Sequence, residues 1–250
     1  MLSLAPGLDL DAAAAAFKAH GHVRLSPFLA PKSANLLANN LASRRDWKLV
    51  VNSGETVYEF DADALAAMSP EQHSELEARI AASAKTAFQF RFSSIRVPER
   101  REDRRPDTDL VHAFAELMCA KSTLDQLRAI TGSNSIVFAD AQATAYRSGD
   151  FLTEHDDNVS GKQREAAYVL GLTSDWKADW GGLLLFDSAN ASMAAHAPGF
   201  NTLDLFSVPQ PHSVSLVTPF AGATRYAITG WLRAAQPSQD QAEPDRNIQK

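Results

Sequence analysis

Residues 151–158 read FLTEHDDN, and within them His155 and Asp157 stand two positions apart. On a strand, side chains at i and i+2 leave the same face, so this pair can offer one imidazole and one carboxylate to a single ion. The same residues can also form a solvated polar patch, since His and Asp are ordinary surface residues. What separates the two readings is whether the chain supplies a third ligand in order. His212, in VPQPHSVSL, stands just before an expected strand and is the candidate, although a histidine after Pro211 can also merely end a loop.

Two His and one carboxylate on one face of an octahedron leave three positions open, the donor set of non-haem Fe(II) oxygenases. A structural zinc site is instead closed by four ligands, commonly cysteines, and this chain has one cysteine, Cys119. An open iron site needs two electrons to activate O2, and 2-oxoglutarate supplies two. Its distal carboxylate needs a cationic anchor. Arg225, in TRYAITGW, follows His212 closely enough to be expected on the neighbouring strand, where its guanidinium can grip a carboxylate in two-pronged fashion. Tyr146, in AYRSGDFL, and Thr229, on the same strand face as Arg225, can donate hydroxyls to the same group. Each has a plainer reading: a strand-edge charge, a core aromatic, and a Thr chosen for its β-branched shape.

The remaining histidines are weaker candidates. His20-Gly21-His22 has ligand-like spacing but reads as a helix-ending turn. His73 and His112 fall on expected helices, and His196 in the loop sequence MAAHAPG. No GxSxG, P-loop or GxGxxG motif is present, which leaves hydrolase-elbow and nucleotide-binding readings without an anchor.

The elements that must position these residues divide at about residue 131. Before it the signals are mainly helical. Leu10–Ala19 is alanine-rich and closes at Gly21; Ser69-Pro70-Glu71-Gln72 is a helix start with a capping box. Leu76, Ile80, Ala84 and Phe88 follow at a spacing of four, one apolar helix face, and two more helices are expected over 110–120 and 122–130. HVRLSPFL and DWKLVVNSGETVYEF read as short strands among them. After residue 135, IVFADAQATAY, AAYVLGLTS, GLLLFD, NTLDLFSV, HSVSLVT and YAITGWL are β-branched and aromatic runs parted by Gly, Pro, Asp or Ser. Such a series predicts a barrel or jelly roll with the helices covering one sheet from outside. The expectation is an α+β fold, mainly β, as one domain over 1–235 (helical support 1–131, β core 135–233) with a disordered tail over 236–250. RVPERREDRRPDTD, residues 96–109, reads as a solvated loop or, alternatively, a mobile lid.

The 250-residue chain is 45% hydrophobic and 22% charged, an ordinary globular balance, and long enough to bury a sizeable core. A formal charge of −6 gives no general attraction to nucleic acid or anionic membrane. No apolar run is long enough for a membrane span, and MLSLAPGLDLD is unlike a secretory signal, so a cytoplasmic protein is expected. Cys119, in the helical pattern AELMCAKS, is expected to be a buried small hydrophobe.

AYRSGDFLTEHDD, DWKADWGGLLLF, PHSV and TRYAITGWL together resemble the prolyl-hydroxylase branch of the Fe(II)/2-oxoglutarate dioxygenases, best over about residues 135–233. FQFRFSS, AITG and LTEHDD look closer still to the ribosomal-protein prolyl hydroxylases, with only their catalytic domain represented. The resemblance implies a double-stranded β-helix. It makes His155, Asp157 and His212 the iron ligands and Arg225 the 2-oxoglutarate partner, with Tyr146 and Thr229 supporting. It further implies O2 as co-substrate, ascorbate as a candidate accessory reductant, and a protein substrate such as a ribosomal protein. A free amino acid is the alternative substrate, and a metal-binding sensor without turnover the alternative class. One departure is that the family's GG-E-L segment reads Gly181-Gly182-Leu183-Leu184 here.

Overall fold

The computed structural model describes residues 1–187 and 193–237; the expected tail lies outside the described residues from residue 238 onward. Helix α1 (Leu10–His20) is capped by the Asp9 carboxylate, which accepts from the Ala12 N–H, and closes at Gly21 in the left-handed region (φ 73°), where a side chain would be strained. The HGH stretch is therefore the helix-ending turn expected. After β1 (His22–Leu25) come α2 (Pro31–Ser43), the β2 (Lys48–Ser53) and β3 (Thr56–Phe60) hairpin, and α3 (Ala62–Ala66). Helix α4 (Pro70–Ser83) carries the full Ser69/Gln72 capping box. It ends at Ser83, so only Leu76 and Ile80 of the expected four-residue series lie on it; they pack against Leu49 and Val51 of β2. Phe88 lies beyond the helix, against Phe90 and His155.

Strand β4 (Phe90–Arg96) and helices α5 (Leu110–Met118) and α6 (Lys121–Thr131) complete the first half. The second half contributes β5 (Phe138–Ala139), β6 (Gln142–Tyr146), β7 (Phe151–His155), β8 (Arg164–Leu172) and β9 (Leu184–Asp187). Then come β10 (Met193–His196), β11 (Phe200–Ser207), β12 (His212–Val214) and β13 (Arg225–Arg233). His196 thus sits in a strand rather than a loop. Helix and strand take near-equal shares, so the fold is α+β without the expected predominance of β: the strands are short, while α4 alone runs 14 residues.

All strand pairs are antiparallel, in the order β1-β11-β8-β13-β6-β4-β7-β12-β9-β10. The path curls into a half-barrel. The long strands β8, β11 and β13 form one layer, and β7, β12 and β9 the other, joined where β4 pairs with β7 at Phe90↔Leu152 and Arg91↔Phe151. The outer face of the long layer is covered by helices: Tyr168, Leu170, Ile228 and Leu232 share a core with Leu37 of α2, Phe114 of α5 and Leu127 of α6. The first half is more than a cover, because β1, β2 and β4 are built into the sheet.

Cys119 is buried as expected, its thiol donating to the Ala139 carbonyl at 3.1 Å. The arginine-rich segment is largely exposed over 100–103 and 105–108, as a solvated loop would be, but it is tied down at Arg104. Arg104 is buried, donating to the Pro98 carbonyl at 2.9 Å and to the Glu116 carboxylate at 3.1 Å, and Arg101 also pairs with Glu116. Glu99 pairs with Arg233 of β13 at 2.9 Å. Alternating Arg and Glu here fasten a strap to α5 and the sheet.

Candidate metal centre

His155 ends β7 and His212 opens β12, and the two are register partners across the short layer. Their rings lie 4.1 Å apart between centroids, and both side chains are buried. Each Nδ1 faces a backbone carbonyl: Thr153 O at 3.1 Å for His155 and Gln210 O at 2.7 Å for His212. A carbonyl can only accept, so each Nδ1 carries a proton and each Nε2 is the ring nitrogen turned into the site. The two Nε2 atoms point at one carboxylate: His155 Nε2 is 3.4 Å from Asp157 Oδ1, and His212 Nε2 is 3.4 Å from Asp157 Oδ2.

Asp157 reaches this position by a route the sequence concealed. It lies past the end of β7, with φ at 62°, so a left-handed turn rather than the pleat of a strand swings the carboxylate onto the imidazole pair. Burial alone would raise its pKa, but His155, His212 and Arg164 hold it well below the usual carboxylate range. Burial, reinforced by the neighbouring His155, lowers the pKa of His212 to about 4, so its ring is neutral at pH 7. The result is two imidazole Nε2 atoms and an ionised carboxylate converging on one point, and Asp157 Oδ1 has no hydrogen-bond partner. One atom from each of the three residues lies within 4.8 Å of the others, the one such group of three among the described residues. Three acceptors facing each other in a buried site fit a cation.

The other expected residues line the same cavity. Arg225 begins β13 and Tyr146 ends β6, and they are register partners. The guanidinium lies 4.9 Å from the Tyr146 ring centre. Arg225 is not on a strand beside His212, as its nearness in sequence suggests. β12 pairs with β7 and β9, and β13 with β6 and β8, so Arg225 faces the triad from the opposite layer. Its Nε has no hydrogen-bond partner, and no carboxylate of the described residues forms an ion pair with it. Burial lowers its pKa and raises that of Tyr146. A buried cation without a counter-ion suits an anionic ligand. Gly182 helps make room: at φ 63°, a Cβ there would come within 3.2 Å of Arg225 Cδ. Thr229 also lines the cavity, two strand repeats along from Arg225.

Sequence reasoning missed two cavity-side groups. Trp231 lines the cavity with a buried Nε1 that has no partner, and Arg164 stacks on it with its guanidinium 3.6 Å from the ring centre. The step of two from Thr229 to Trp231 along β13 was the available signal. His196 is drawn to Asp204 (Nδ1 to Oδ1, 2.8 Å) and His22 stacks on Phe186, both away from the triad's ligand atoms.

Residues 141–233 match the family described as the 2OG-Fe(II) oxygenase superfamily, a segment that holds all six expected residues. The fold is similar to a prolyl-4-hydroxylase of Pseudomonas putida, at TM-score 0.57 and 22% identity, covering 90% of this chain and 98% of that one. It is also similar to a Trichoplax adhaerens prolyl hydroxylase solved with a hypoxia-inducible-factor peptide, at TM-score 0.61 and 17% identity, covering 90% and 89%. A 2OG-Fe(II) oxygenase-family oxidoreductase of Burkholderia pseudomallei matches at TM-score 0.55 and 17% identity, covering 94% and 95%. No curated protein matches. No helix among the described residues is long and apolar enough to cross a membrane.

Proposed function

We propose that the chain, whose residues 141–233 match the 2OG-Fe(II) oxygenase superfamily, is a dioxygenase that hydroxylates an unactivated C–H bond, most directly that of a prolyl residue in a protein. His155, Asp157 and His212 hold Fe(II), and Arg225 takes the distal carboxylate of 2-oxoglutarate, with Tyr146 and Thr229 as donors beside it. The observation that carries this reading is the pairing, in one cavity, of a buried His/Asp/His cluster with a buried arginine that lacks a counter-ion.

When bound, the iron supplies the oxygen chemistry in which one atom of O2 goes to 2-oxoglutarate, giving succinate and CO2, and the other to the substrate C–H. The protein's own residues bind, aim and shield. The carbonyls of Thr153 and Gln210 fix the imidazole tautomers, so that both rings present Nε2. Arg225, reaching from the opposite layer, sets how far the co-substrate extends toward the triad. Phe92, Leu152 and Val214 keep the walls between them apolar, which excludes water. Ascorbate would serve only to keep the iron reduced. Prolyl specificity rests on the likeness to prolyl hydroxylases, and ribosomal proteins are the first pool to search.

Anaerobic visible absorption with Fe(II) and 2-oxoglutarate tests the site. A weak charge-transfer band in the wild type that is lost in His212→Ala is expected, and no band in a folded wild type would sink the reading. Mass spectrometry of cell proteins with and without the enzyme tests the substrate. Loss of a one-oxygen modification on prolyl residues is expected. Its absence on every protein would leave a free amino acid or other small molecule as substrate.

A further inference from the structure

Arg164 opens β8 with its side chain 1% exposed, directly behind the metal-facing carboxylate. Its Nη1 donates to the Asp157 carbonyl at 3.1 Å and lies 3.9 Å from Asp157 Oδ1. The same guanidinium stacks 3.6 Å over the Trp231 ring, which forms part of the cavity wall. Asp157 holds a left-handed backbone at φ 62°, uncommon for a residue other than glycine although aspartate tolerates it better than most. Among the described contacts, Arg164 is the donor to the carbonyl of that turn.

We propose that Arg164 is a positioning residue that holds the left-handed turn at Asp157, aiming its carboxylate at the His155/His212 pair while bracing Trp231 as the cavity wall. The inference rests on the metal reading above. The side chain suits both tasks at once. A planar guanidinium can stack on an indole through its face and donate from its edge, which the point charge of a lysine cannot reproduce. Its charge also acts in the opposite sense, because a cation beside the carboxylate repels an incoming divalent ion. The hold outweighs the repulsion: without the donor, the buried Asp157 carbonyl is left unsatisfied and the turn can relax, drawing the carboxylate off the imidazoles.

Arg164→Met keeps an apolar chain against Trp231 but removes the donor and the charge, whereas Arg164→Lys keeps the charge without the fork. Calorimetric titration with Mn(II), under which no turnover occurs, is expected to show affinity weakened about tenfold or more in the Met variant. The Lys variant is expected to fall between it and the wild type. The charge-transfer band of the anaerobic Fe(II)/2-oxoglutarate complex is expected to shift in both, because the carboxylate donor has moved; a role in folding alone would leave it in place. A folded Met variant that binds Mn(II) as tightly as the wild type, or more tightly, overturns the proposal. If the Met variant does not fold, the Lys variant decides: weakened binding with a shifted band supports the hold, and wild-type values for both overturn it. A wild type that takes up no Mn(II) sinks the metal reading itself, a result distinct from these.

Discussion

Strand β13 separates two regions built on opposite terms. Ile228 and Leu232 face the helices and are fully buried in a large apolar core. Arg225, Ala227, Thr229 and Trp231 alternate with them and face the cavity or its lining. On the helical side, apolar atoms are buried against apolar atoms. On the cavity side the protein keeps Arg225 Nε and Trp231 Nε1 buried without partners, and Asp157 Oδ1 opposite them likewise. Each such group costs about 1–3 kcal/mol when left unmet. One strand carries both regions because its side chains alternate, so stability is concentrated on one face and recognition on the other.

The sharpest way to break the comparison is Asp157→Ala. Mn(II) binding should disappear and turnover fall by about a thousandfold or more, the scale of losing a group on which catalysis depends, while the loss of the charge beside buried Arg164 should lower the stability of the metal-free fold. Calorimetry and succinate release check the two halves separately. Arg225→Met comes next. It should weaken 2-oxoglutarate binding by about 2–4 kcal/mol, as when one partner of a buried charge pair is removed. The same change should leave the unliganded protein as stable as before or more so, because it deletes a buried cation that has no counter-ion. Substantial destabilisation of the unliganded variant would show that the arginine is structural.

Three residues along, Ile228→Ala should do the reverse. Deleting a fully buried side chain from the helical core costs about 2–4 kcal/mol in urea unfolding. Mn(II) and 2-oxoglutarate affinities of the folded protein should stay at wild-type values, since Ile228 points away from the cavity. A loss of metal affinity in this variant would mean that the two faces are coupled through the strand.

How much of this was legible in the sequence follows from what kind of signal each feature leaves. The Ser69 capping box, the Gly21 helix stop and most strands are local chemistry, and they stand where the residues placed them. So does the set of six cavity residues, because residue type and order survive without coordinates. What failed was geometry. Asp157 follows His155 by two, which suggests a pleat, yet the strand has already ended and a left-handed turn does the work. Arg225 follows His212 closely, which suggests adjacent strands, yet the chain crosses from one layer to the other between them. Arg104 sits in a run of charges that reads as solvated, while its partner Glu116 lies in a helix the run does not announce. In each case the deciding contact is set by tertiary packing, which spacing does not encode.

The smallest effect is a titration, and its sign is fixed by which state holds the proton. His212 has a folded pKa of about 4 against an ordinary value of 6.5, because burial and the neighbouring His155 disfavour its charged form. Between those values the unfolded chain binds a proton that the folded, metal-free protein does not. Stability from this residue is therefore fully present above about pH 6.5 and is lost as pH falls toward 4, by about 2 kcal/mol from pH 6.5 to 5. Urea unfolding of the chelated protein across that range should show the slope, and His212→Gln should flatten it. Ile228→Ala should lower the whole curve without changing its slope, since the core face of β13 carries no proton. If His212→Gln keeps the wild-type slope, the titrating group lies elsewhere, and the neutral imidazole on which the three-acceptor argument depends must be sought again by direct titration of the ring.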